Sequence, residues 1–84
     1  MYMHIGQGAV IRAEEIIGIF DLDITSQSHI TREFLRNAEK RGIVMNAAED
    51  IPKSFIVCGG EGGSVYLSQP ATSTLLRRAE SNTL

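Results

Sequence analysis

The chain has no tryptophan and only two tyrosines and three phenylalanines, so its core must be built from Ile, Val, Leu and Met rather than from large rings. It has one cysteine, Cys58. A single thiol excludes an internal disulfide and a cysteine-based metal site, and makes the cytoplasm the default location. No run of about 18 apolar residues is present, and Met1-Tyr2-Met3-His4 lacks the positive start and apolar stretch of a secretory signal. A soluble intracellular protein with no membrane partner is expected. Positive charge is not in excess either: eight Lys and Arg face ten Asp and Glu, for a formal net charge of -2. No global field draws the chain to nucleic acid or anionic lipid, so any such attraction must be local. The two histidines, His4 and His29, are not joined by HxH or HExxH spacing, and no metal motif results.

What is present fits one small α+β domain spanning residues 1–84, with 43% hydrophobic residues and a core too modest for much intrinsic stability. Self-association would help it. Tyr2 to Ile5 and Ala9-Val10-Ile11 flank Gly6-Gln7-Gly8 as a hairpin. The β-branched run Ile16-Ile17-Gly18-Ile19-Phe20-Asp21-Leu22 reads as a buried, central strand, and Asp23 to Gln27 as a polar connection. Ser28 can cap a helix from about His29 to Arg41, stopped by Gly42. On that helix Ile30, Phe34, Leu35 and Ala38 form an apolar stripe that should pack, and Arg32, Arg36 and Lys40 a second, basic stripe. Ile43 to Asn46 reads as a short strand. A second hairpin pairs Ser54 to Cys58 with Ser64 to Leu67 around the glycines at 59 to 63. Pro70 fits the first turn of a short C-terminal helix with Leu75, Leu76 and Ala79 on its apolar side, and Ser81 to Leu84 should fray. The expected architecture is a small, mostly antiparallel sheet with one main helix and a short C-terminal helix.

Enzyme chemistry finds no constellation here. Neither glycine cluster has the Gly-Lys-Ser/Thr ending of a phosphate loop, so both read as hairpin tips. Cys58 sits at a strand end, where packing is the ordinary role, and a reactive thiol would need a histidine beside it. Glu14-Glu15 and Glu49-Asp50 are adjacent acids, and neighbours on a strand point to opposite faces instead of converging. No cofactor and no small-molecule substrate is implied. Charge, however, is unevenly placed. Residues 28–41 hold four basic and two acidic groups, whereas residues 1–27 hold one basic and four acidic. Arg32, Arg36 and Lys40 could follow a phosphate backbone, and Arg77 and Arg78 lie near the negative end of the last helix.

Tyr2, His4-Ile5-Gly6, Val10, Ile16 to Asp21, Glu33-Phe34-Leu35, Pro52 to Val57, Tyr66, Ser68 and Ser73-Thr74-Leu75 together resemble the Rem family of bacterial extracellular-matrix regulators. The resemblance covers almost the whole chain and is closer to the RemB branch than to the RemA branch. It implies a non-enzymatic regulator of biofilm matrix genes and a homo-oligomer, which in the RemA branch is a ring presenting repeated arginines to double-stranded DNA. Many copies of a few cations would sum to a salt-dependent hold on phosphates. The paired arginines of RemA-like members correspond here to Ile51-Pro52, followed by Lys53, and their early-loop arginine falls near Glu15, with Arg12 the nearest cation. The candidate DNA contacts are Arg12, Lys53, Arg77 and Arg78, with Arg32 and Arg36 in addition. A second reading is an oligomeric protein-interaction or scaffold module that acts on matrix genes without touching DNA.

Overall fold

Positive φ at Gly6, Gln7 and Gly8 folds β1 (Tyr2–Gly6) back onto β2 (Ala9–Arg12) as a two-stranded antiparallel ribbon. The computed structural model describes residues 2–25 and 27–81; of the segment expected to fray, Ser81 is instead the last residue of the C-terminal helix, and 82–84 lie outside the described residues. After the ribbon come a 3-10 turn (Ala13–Glu15), β3 (Ile16–Asp21), α1 (Leu22–Thr25), α2 (His29–Lys40), β4 (Val44–Asn46), β5 (Ser54–Cys58), β6 (Ser64–Ser68) and α3 (Thr72–Ser81). Strands β3 to β6 form a second sheet in the order β3-β5-β6-β4. The α+β expectation holds, with two refinements: the ribbon is a separate sheet, and β4 runs parallel to β6 while the other pairs are antiparallel.

The strand expected at the centre, β3, lies at an edge and pairs only with β5. The centre is taken by β5 and β6, which are joined by a short glycine-rich tip and pair as an antiparallel hairpin. A bulge between Ile16 and Gly18 turns Ile17 outward, leaving it 71% exposed. An apolar run demands cover, but it does not say that a neighbouring strand supplies it.

Alternation along β5 and β6 sends side chains to two faces. On one face Phe55 and Val65 join Ala38 of α2, bordered by Leu35, Ile43, Val44, Val57 and Leu67. On the other, Ile56 and Cys58 meet Met3, Ile5 and Ile11 of the ribbon and Leu75 of α3. The sheet is therefore sandwiched between α2 and a layer made of the ribbon and α3. The two buried polar side chains, Ser54 and Ser68, tie this second layer down: the Ser68 hydroxyl donates to the Ile5 carbonyl, and the Ser54 hydroxyl donates to the Pro70 carbonyl at 2.8 Å. Each such bond satisfies a group that would otherwise be stranded away from water.

Local signals account for the helix ends. Ser28 Oγ accepts the Thr31 N–H at 3.4 Å, Arg41 is the last cap residue of α2, and Gly42 takes φ +73, as a C-terminal glycine should. The polar connection after β3 begins as a helical turn because Asp21 Oδ1 accepts the Ile24 N–H at 2.9 Å, a local capping bond that competes with extended structure. Pro70 does not enter α3. The helix starts at Thr72, and Ala71 O accepts from Thr74 and Leu75 N–H, so the proline precedes it and serves as the acceptor for Ser54.

Candidate nucleic-acid interface

The basic stripe of α2 forms as its spacing requires. Arg32, Arg36 and Lys40 are exposed on one side of a continuous helix, about 6 Å apart along its axis. Arg32 donates from Nη1 to the Gln27 carbonyl at 3.3 Å, which holds its stem along the first turn. Arg36 and Lys40 have no side-chain partner among the described residues, so their charge faces solvent. Such exposed cations are the groups that can exchange counterions for phosphates at little desolvation cost.

The other candidates are not brought to this stripe. Arg12, at the end of β2, reaches Glu14 at 3.5 Å and Glu15 at 3.7 Å. These two acids stand on the 3-10 turn and not on a strand, so they converge after all, on a cation, and the corner is net negative. Lys53 precedes β5; its N–H donates to the Ser68 carbonyl and its carbonyl accepts from the Leu22 N–H, while the side chain is exposed without a partner among the described residues. Arg77 and Arg78 belong to α3, across the sheet from α2. Glu49 and Asp50 lie on the β4–β5 loop, where their backbone N–H groups both donate to Gln69 Oε1 at 3.0 and 3.1 Å.

Arg78 has a structural role that sequence spacing could not reveal. Its Nη1 donates to the His4 carbonyl at 3.0 Å, pinning α3 to the ribbon across 74 positions of sequence. Replacing Arg78 by alanine should cost about 1 kcal/mol, lowering the melting temperature by roughly 4–8 °C, and a thermal melt followed by circular dichroism measures it. The same substitution at Arg36, exposed and without a side-chain partner among the described residues, serves as the comparison; equal shifts would remove the structural role from Arg78.

Cys58 is buried at the end of β5. Burial, and then the negative charge of Glu15, push its thiol above the ordinary value, which disfavours the thiolate form that a nucleophile needs. No group of three or more His, Cys, Asp and Glu able to hold a metal occurs among the described residues, and no helix in them is long and apolar enough to cross a membrane.

The apolar stripe of α2 departs from expectation. Ala38 is buried and Leu35 half-buried, but Phe34 is 43% and Ile30 79% exposed. They overlook Phe20, 39% exposed, and Ile17 of the edge strand. Together with Thr31, Phe55 and Val57 these residues line an open groove of about 320 Å³ between α2 and β3. Periodicity found the apolar face of the helix, yet only the edge position of β3 leaves half of that face uncovered.

Comparison with known proteins bears on the family of the chain. The RemA-like family, described as "Extracellular matrix regulatory protein A-like", matches residues 2–79. Extracellular matrix regulatory protein B of Bacillus subtilis (strain 168) is 34% identical over 80 residues, which cover 95% of this chain and 91% of that protein. Both matches take in the ribbon, the sheet and α2, and extend into α3. The chain accordingly belongs to the RemA-like family and is an extracellular-matrix regulatory protein of the RemB-like kind.

Proposed function

We propose that this protein is a non-enzymatic, cytoplasmic regulator of matrix-gene transcription that holds double-stranded DNA as a homo-oligomer, through repeated phosphate contacts from α2. The observation that carries the reading is the exposed stripe Arg32, Arg36 and Lys40, two of whose members have no competing partner among the described residues. Lys53 adds a further exposed cation. One protomer offers too few contacts for a firm hold, and its net charge of -2 opposes approach to DNA. Repetition removes the first difficulty, since each additional copy binds at high effective concentration once the first is down; the second is met by the local positive field of the stripe, which acts within about a Debye length of the phosphates. Arg12 contributes least to this reading because two carboxylates already face it.

Fluorescence anisotropy of a labelled duplex, titrated with protein at several salt concentrations, tests the proposal. Affinity should fall steeply with salt, with a slope that counts the phosphates engaged, and should vary little between unrelated duplex sequences because phosphate contacts carry no base information. A folded oligomer that fails to bind at low salt would instead act on matrix genes through another protein.

A further inference from the structure

The groove between α2 and β3 has the character of a protein contact and not of a small-molecule site. Thr31 is the only polar residue among Ile17, Phe20, Ile30, Phe34, Phe55 and Val57 around it, whereas a ligand pocket needs several convergent polar groups to orient its occupant. Its floor is preformed: the Phe20 ring stacks on Phe55 with centroids 5.0 Å apart. The ring also lies over Gly18, where a Cβ would come within 2.6 Å of it. The exposed parts of Ile17, Phe20, Ile30 and Phe34 present on the order of 400–500 Å² of apolar surface. A standard interface buries roughly 800 Å² per partner, somewhat more than half of it apolar. The groove thus supplies the apolar share of one complete interface.

Its two walls carry opposite charge. The strand wall is acidic at both ends, with Glu14 and Glu15 before β3 and Asp21 and Asp23 after it; Arg12 is the one cation beside them. The helix wall, residues 28–41, is net basic. The two walls run antiparallel. The Gly59 N–H donates to the Glu15 carbonyl at 2.8 Å, and Arg41 Nη2 donates to the Gly62 carbonyl at 3.3 Å, so the start of β3 and the end of α2 meet at the same β5–β6 tip. Lys40 and Arg41 flank Phe34 at that end. A two-fold axis lying along the groove would set each strand wall against the helix wall of the other molecule at the same level. Ile17 then packs on Phe34 and Phe20 on Ile30, and Glu14 and Glu15 face Arg41, which helical geometry places on the same side of α2 as Ile30 and Phe34.

From this self-complementarity we infer that the groove is a dimer interface whose occupant is the same groove of a second copy of this chain. The inference deepens the oligomer in the function proposed above and rests on that part of it. The acids and bases at the rim fix the register, and the apolar centre provides the affinity. Helical geometry places Arg32 and Arg36 on the far side of α2 from Ile30 and Phe34, so the dimer leaves both basic stripes open.

The test measures molar mass by light scattering, without DNA, for the wild type, Ile17→Arg, Phe34→Asp and an equal mixture of the two variants. Ile17 is 71% and Phe34 43% exposed in the protomer, and circular dichroism confirms that each variant folds. The wild type should have an even number of subunits, and each variant alone should fall to half its mass or less. The mixture should regain the wild-type mass, because one strip of the interface then sets a guanidinium against a carboxylate while the other strip is native. A monomeric wild type, a variant that keeps its mass, or a mixture that stays dissociated would overturn the dimer. A dimer of the expected behaviour that binds no duplex would sink the DNA-binding reading alone.

Discussion

Reversing the charge at both Arg32 and Arg36, as Arg32→Glu/Arg36→Glu, is expected to weaken duplex binding on the order of a hundredfold at low salt and to lower the salt slope by about two per chain engaged. The fold should survive. Glutamate forms helix as readily as arginine, position 32 lies in the first turns of α2, where a carboxylate suits the helix dipole, and position 36 would gain Lys40 as a partner four residues on. Neither position lies on the groove side of the helix, so the assembled mass should also be unchanged. Loss of binding can then be assigned to the stripe and not to unfolding or dissociation. Titrating the variant and the wild type against the same labelled duplex, at several salt concentrations, reads both quantities. Unchanged affinity and slope would exclude α2 as the interface and leave Lys53 and Arg77 as the cations to remove next.

The contrast between Arg36 and Arg78 shows where sequence reading reaches and where it stops. Four-residue spacing on a helix bounded by Ser28 and Gly42 is a local pattern, so the residues alone reveal the exposed stripe. The role of Arg78 depends on a carbonyl 74 residues away, at His4, and no local rule connects the two. Arg12 is intermediate: its acids are two and three residues downstream, but an extended chain would have held them apart, and the 3-10 turn brings both to the guanidinium. The two hairpins were legible because glycine tips and apolar runs mark them directly. The edge position of β3 and the parallel pairing of β4 with β6 were not, since strand order is chosen by long-range packing after the pattern of each strand is already satisfied. The groove is the consequence of that ordering. Ile30 and Phe34 read as core because they are apolar at helical spacing, and they are exposed because the strand beneath them is an edge strand, with β5 on one side and no strand on the other.

Gly6→Ala is expected to be the most destabilising single-methyl change in the ribbon, costing about 3 kcal/mol. For a domain of this size that is a large share of a total stability of roughly 4–13 kcal/mol, and it should lower the melting temperature by more than about 10 °C. Two effects combine. Gly6 adopts φ +131, which L side chains rarely take, and an added Cβ would lie 2.8 Å from the backbone carbonyl oxygen of Ala47. That oxygen is main chain, and the N–H of the same residue is held by the Leu67 carbonyl at 2.8 Å, so it cannot swing aside as a side chain would. Relief must come from the ribbon, by lifting β1 off the sheet. Lifting it exposes Met3 and Ile5, both fully buried, and breaks the bond from the Ser68 hydroxyl to the Ile5 carbonyl. Gly8→Ala separates the two causes, because Gly8 also has positive φ, +74, but nothing lies within 4 Å of its would-be Cβ; only the backbone cost of about 1 kcal/mol should appear there. Melts of both variants at one protein concentration, so that assembly contributes equally, compare the two positions. A Gly6→Ala shift no larger than that of Gly8→Ala would mean that the ribbon yields freely at Ala47. Its docking would then have to rest on Met3, Ile5 and Ile11 without the close backbone approach.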